Sequence, residues 1–165
     1  RIFGLIIGVD QYKTGSVWNL ESCVDDAKNV YRWLVKDLKV PKEQIYMLLD
    51  THATKENIEK CFSSHLTENP SIKRGDAIFV YFAGHGCTIR HQGVVSGTAE
   101  VLCSYDFGQR GVVGISDHSL HSMLLGLSKA KGNNITVILD SCFSPLQSPP
   151  NIRDRRHTRW TPSEK

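Results

Sequence analysis

Short apolar runs without alternation recur along the chain: IFGLIIGV, QIYMLL, AIFVYFA, EVLCSY and ITVILD. A strand with one wet face alternates apolar and polar residues, so unbroken runs of this length predict strands covered on both faces. Between the first two lies SCVDDAKNVYRWLVKDLKV, whose Val24, Ala27, Val30, Tyr31, Leu34 and Leu38 recur at helical spacing. Ser22 with Asp25 three residues later reads as a capping pair at its start. Helical spacing also covers Thr54 to Leu66, with Ile58, Cys61, Phe62 and Leu66 on one face, and Ser116 to Leu127, through Leu120 and Leu124. Strands alternating with helices predict βαβ units with right-handed crossovers. The expected fold is α/β, a three-layer αβα sandwich around a mostly parallel central sheet. The segment from Cys87 to Gly97 reads as a small hairpin or a long loop.

At 165 residues, 40% hydrophobic and 22% charged, the chain is sufficient for one domain with its own core. Residues 1–144 are expected to form that domain. Residues 145–165, rich in proline and arginine, are expected to be a linker or tail. The chain opens on a core strand without an initiator Met, so it is expected to be cut from a longer protein. A formal charge of +3, with basic residues dispersed until the tail, argues against a nucleic-acid partner. No run reaches the length of a membrane span, so no membrane partner is expected. The cysteines, at 23, 61, 87, 103 and 142, form no CxxC pair. Reduced thiols in a cytoplasmic location, with the nucleus as the alternative, are the expectation. A zinc set drawn from His85, Cys87, His91 and Cys103 has irregular spacing, and no metal site is expected there.

Functional groups in an open parallel sheet gather beyond the carboxyl ends of the strands. His85 follows AIFVYFAG at one such end, between Gly84 and Gly86, and Cys142 follows ITVILD at another. If the two strands are neighbours, an imidazole and a thiol reach the same sheet edge. That is the set a cysteine nucleophile needs, with glycine N–H groups open to a substrate oxyanion. A lone His in a glycine turn, or a lone Cys after an apolar strand, is ordinarily structural. The pairing is what points to chemistry. No Arg stands six residues after Cys142, and GxSxG, GxGxxG and P-loop sequences are absent.

The segments GLIIGVDQY, LESCVDDAKNV, VYFAGHG and ILDSCFS, in this order and spacing, resemble the caspase-like cysteine peptidases. The resemblance is to the large catalytic subunit of fungal or plant-type metacaspases and covers nearly all of Ile2 to Ser144. It implies that His85 is the catalytic histidine and Cys142 the nucleophile, forming an acyl-enzyme that water hydrolyses. It places the oxyanion hole at the N–H groups of Gly86 and Cys142, and the carboxylates of a pocket for Arg or Lys at Asp26 and Asp140. A carboxylate pair in a partly dry pocket suits a guanidinium fork. Asp26 would equally serve the first turn of a helix, and Asp140 a strand-end turn.

The chain departs from the family pattern at Ala83, where YSGHG has Ser, and at Phe143 and Pro145, where DSCHSG has His and Gly. No cofactor is expected to be required. Many metacaspases use calcium, and calcium activation is the alternative here, although only Glu100, Asp106 and Asp117 fall in the corresponding region, few carboxylates for a tight site. His118 and His121 read as surface residues. The resemblance further implies protein or peptide substrates, a small subunit encoded beyond the C-terminal end of this chain, and a role in programmed cell death among other processes. Arg153, Arg155, Arg156 and Arg159 are candidates for autoprocessing. The rival reading is a catalytically silent caspase-like module that binds or regulates partners.

Overall fold

The computed structural model describes residues 1–15, 17–90 and 97–145. Its central sheet runs β2-β1-β3-β7, from β1 (Ile2–Gly8), β2 (Ile45–Leu49), β3 (Ala77–Ala83) and β7 (Ile135–Asp140). All its pairings are parallel. Side chains alternate between two apolar layers along β1 and β3, as the pleat requires. Leu5, Ile7, Ile78, Val80 and Phe82 face α2 (Lys55–Cys61) and α3 (Asp117–Lys131), joining Ile58 and Leu127. Ile6, Tyr81 and Ala83 face α1 (Cys23–Arg32), joining Ala27 and the Leu34 that follows it. This is the three-layer sandwich that the apolar runs imply.

The expected helices form, with revised ends. Both α1 and α2 widen into a π-helical turn, Trp33–Asp37 and Phe62–Thr67 respectively, so their apolar faces extend beyond the α-helix proper. Thr54 caps α2 and Ser116 caps α3, each accepting an N–H bond on its side chain. The Ser22–Asp25 pair does not cap α1, because Ser22 makes no side-chain cap bond. The carboxylate of Asp10 does so from beyond the end of β1, accepting from Cys23 N–H at 2.8 Å and Val24 N–H at 3.1 Å. A charged acceptor at a helix N-terminus satisfies orphan donors and the helix dipole together.

Three of the apolar runs depart from the doubly covered strands expected: QIYMLL forms β2 at one edge of the central sheet, with Tyr46 45% exposed. EVLCSY contributes to β5 (Thr98–Leu102), which leaves the central sheet for a second one of order β6-β5-β4-β8. There it pairs antiparallel with β4 (Gly86–Arg90) and with β6 (Ile115–Ser116), so the segment after His85 is a hairpin. The fourth strand, β8 (Phe143–Pro145), runs parallel to β4. ITVILD is β7, at the opposite edge of the central sheet from β2 among the described residues, and its Ile138 and Leu139 are 43% and 37% exposed. The tail with Arg153, Arg155, Arg156 and Arg159 lies outside the described residues.

The contact of α1 with β1 is tight at Gly8, where an added Cβ would lie 2.7 Å from Ala27 Cβ and 2.8 Å from the Cys23 carbonyl oxygen. A helix backbone cannot swing aside as a side chain can. Gly8→Ala is therefore expected to destabilise the domain by about 1–3 kcal/mol, read as a lower urea midpoint at unchanged slope. Gly15→Ala, where the Cβ meets nothing within 4 Å, is expected to stay within about 0.5 kcal/mol.

Candidate active site

His85 sits where the chain passes from β3 to β4, and the loop after β1 holds it from two sides. Its backbone N–H donates to the Tyr12 hydroxyl at 2.8 Å, and the Tyr12 and His85 rings pack with centroids 5.3 Å apart. Burial, the largest effect, keeps the Tyr12 phenol protonated well above its ordinary range, and Tyr12 Oη donates in turn to the Val9 carbonyl at 3.4 Å. His85 Nε2 lies 2.8 Å from the carbonyl oxygen of Trp18. A carbonyl only accepts, so Nε2 carries the hydrogen and Nδ1 is the nitrogen left for proton exchange. Beside this contact opens a groove of about 330 Å³ lined by Tyr12, Lys13, Thr14, Val17, Trp18 and Asn19.

Cys142 arrives from the neighbouring strand. β3 pairs with β7 so that Ala83 is opposite Asp140, and β4 pairs with β8 so that Gly86 is opposite Phe143. His85 and Cys142 are thus the residues immediately before one paired step of two parallel strands. The approach at Gly86 is close, since a Cβ there would lie 2.8 Å from Phe143 Cδ1 and 3.0 Å from the Cys142 carbonyl oxygen. Cys142 itself is exposed.

A second cluster forms on the α1 side of the same sheet edge. Asp26 stands in the first turn of α1, and Asp140 accepts from Tyr81 Oη at 3.1 Å. Burial first, then the bond and charge of Asp140 and the charge of Asp26, raise the Tyr81 phenol above its usual range. The Cys23 thiol is pushed up to about 11, by burial first and then by the charges of Asp10, Asp26 and Asp140. The negative charges of Asp26 and Asp140 thus both act on Tyr81 and Cys23 on this side of the sheet. Such surroundings disfavour further negative charge and favour a cation.

A family model described as the metacaspase, peptidase C14 domain matches residues 4–147. The chain belongs to this metacaspase family. Metacaspase-1B of Neurospora crassa is 27% identical over 148 residues, covering 85% of this chain and 33% of that protein. Metacaspase-1A of Aspergillus oryzae is 28% identical, and Metacaspase-7 of Arabidopsis thaliana 27% identical, each over 85% of this chain. The metacaspase domain seen here therefore spans about a third of the length of these curated relatives, at 33%, 33% and 34%. A solved structure of a protein from Geobacter sulfurreducens superposes with a TM-score of 0.66 at 19% identity, covering 86% of this chain and 50% of that one. At that identity it bears on the fold alone.

The acidic residues after the metacaspase histidine do not gather. Glu100 is exposed on β5, Asp106 Oδ1 accepts from Lys55 N–H and Ser104 Oγ, and Asp117 is exposed in the first turn of α3. His118 and His121 are exposed on the same helix. Of the zinc set, Cys87 and Cys103 are buried side by side, the His85 ring is bonded to Trp18, and His91 lies outside the described residues. Among the described residues no three His, Cys, Asp or Glu are placed to hold a metal ion. Trp18, Tyr12, Tyr81, Cys23 and Asp10 escaped the sequence reading. Tyr81 could have been found by counting in twos back from Ala83, whereas a backbone carbonyl such as that of Trp18 has no sequence signature.

Proposed function

We propose that this domain is the catalytic part of a cysteine endopeptidase that cuts after Arg or Lys. The observation that supports this most is the parallel register of Gly86 with Phe143, which sets Cys142 beside a His85 already oriented through Nε2 by the Trp18 carbonyl. Nucleophile, base and orienter then stand in the order general to covalent catalysis. His85 Nδ1 takes the Cys142 proton, and the thiolate attacks the scissile carbonyl. The N–H groups of Gly86 and Cys142 receive the oxyanion. The imidazolium gives its proton to the leaving amine, and water repeats the cycle on the acyl-enzyme. Asp26 and Asp140 hold the guanidinium or ammonium of the residue before the cut, with Ala83 lacking the hydroxyl that many relatives have there.

Among the described residues β7 is an edge strand with Ile138 and Leu139 exposed, which fits a further strand from a small subunit. The test is an arginyl chloromethyl ketone applied to this chain and to a version extended at its C-terminus, followed by peptide mapping. The expected result is an adduct on Cys142, absent in His85→Ala and outcompeted by Arg but not Asp peptides. Labelling of the extended form alone would make this chain a half awaiting its partner. No labelling of either, with Cys142 still open to iodoacetamide, would sink the peptidase reading in favour of a silent binding module.

Asp140→Asn keeps a hydrogen-bond acceptor for Tyr81 but removes a charge. It is expected to slow the arginyl probe by about 10–100-fold, the value of one charged hydrogen bond. Iodoacetamide, which needs no pocket, should react as before.

A further inference from the structure

Two thiols that the proposed mechanism does not use lie directly behind His85. Cys87 is on β4 opposite Val101, and Cys103 stands one step past the end of β5, where its N–H donates to the His85 carbonyl at 2.9 Å. The two are diagonal neighbours on one face of the hairpin, and Cys103 Sγ points its hydrogen at Cys87 Sγ across 3.4 Å. Cys103 is 0% and Cys87 4% exposed. A buried cysteine alone is ordinary packing. Two in sulfur contact, one bonded to the His85 backbone and the other two residues beyond it, are placed where a disulfide would bridge the hairpin.

We propose that Cys87 and Cys103 are a modification site, closing to a disulfide with hydrogen peroxide and thereby displacing His85 from Cys142. The bond given by Cys103 lowers the Cys87 thiol, and the same contact followed by burial raises Cys103, so Cys87 is the attacking thiolate. Its sulfur attacks one peroxide oxygen, the O–O bond breaks, and Cys87 sulfenic acid and hydroxide result. The Cys103 sulfur then attacks the sulfenic sulfur, the S–S bond forms and the S–O bond breaks, releasing a second hydroxide. The two thiol protons convert the two hydroxides to water, so two electrons pass from the thiols to the peroxide. A dithiol reductant reverses the change by exchange.

Geometry gives the consequence. A disulfide holds its sulfurs about 2.05 Å apart, so the pair must close by more than an ångström from its present contact. The β4–β5 hairpin has to give where it is anchored to His85. A displacement of about 1 Å at a reacting group is worth about 10²-fold in rate. Only this consequence, not the disulfide, rests on reading His85 as the partner of Cys142.

The experiment uses the full chain carrying Cys142→Ala, which removes the exposed thiol, and the mapping distinguishes Cys87 and Cys103 from the partly exposed Cys23 and Cys61. After peroxide treatment, denaturing alkylation and peptide mapping are expected to show loss of two alkylatable thiols and a Cys87–Cys103 linked peptide that dithiothreitol releases. The His85 ring resonance, followed by NMR, should shift on oxidation and return on reduction. Adding Cys103→Ala, or Cys87→Ala if that folds better, should abolish the shift. Cys87 and Cys103 remaining alkylatable would overturn the proposal, as would a disulfide that leaves the His85 resonance unmoved. Neither readout needs peptidase activity, so this failure is distinct from failure of the arginyl probe to label Cys142.

Discussion

Alanine in place of His85 is expected to lower turnover of an arginyl peptide by about 10²–10⁴-fold, the range that positioned proton transfer supplies. The loss should fall on chemistry and not on the fold. Among the described residues the imidazole meets the Tyr12 ring and the Trp18 carbonyl, while the bond from His85 N–H to Tyr12 Oη belongs to the backbone and survives the substitution. On the proposed mechanism, removing the imidazole takes away the acceptor for the Cys142 proton, and an unassisted cysteine is only a few per cent thiolate at neutral pH. Iodoacetamide should therefore alkylate Cys142 about tenfold more slowly at neutral pH in the variant, with the urea midpoint little changed. Equal alkylation rates in the two proteins would show that His85 does not activate the thiol.

Gly86→Ala is expected to be nearly as damaging, although it removes no reactive group. The new Cβ would stand 2.8 and 2.9 Å from Phe143 Cδ1 and Cε1, and 3.0 Å from the Cys142 carbonyl oxygen. The phenyl ring can turn aside, but the carbonyl belongs to the nucleophile residue itself. Relief therefore has to come from separating β8 from β4, which takes Cys142 away from His85. A shift of this kind costs about 10²-fold in turnover. Cys142 remains exposed and should still react with iodoacetamide. The double variant Gly86→Ala, Phe143→Ala removes the ring contact and keeps the carbonyl contact, so it should recover activity only in part. Full recovery would show that the ring, and not the nucleophile's backbone, sets the limit.

The legible part of this protein was the part written in neighbouring residues. Apolar runs without alternation located β1, β2, β3 and β7, and helical spacing located α1, α2 and α3, because both periods are properties of a contiguous segment. The glycines around His85 and the short reach from Asp140 to Cys142 likewise stand within single motifs, so both candidate residues could be named before any strand was paired. Pairing across the chain was not legible in that way. EVLCSY has the composition of a covered strand, yet β5 joins a second sheet because β4 turns away at Gly86 and pairs with it. ITVILD is equally apolar, and only the strand order shows that among the described residues β7 is an edge strand, with Ile138 and Leu139 exposed. Ser22 offers a local cap to α1, but Asp10 reaches the same N–H groups from the end of another element with a full charge.

The sequence by itself determined an α/β sandwich and named a candidate histidine and cysteine, because periodicity and local motifs are carried by residues adjacent in the chain. The tertiary structure alone decided which carbonyl orients His85, which carboxylates act on Cys23 and Tyr81, and which two thiols touch behind the histidine. Those are meetings between segments far apart in sequence, set by sheet register and loop path.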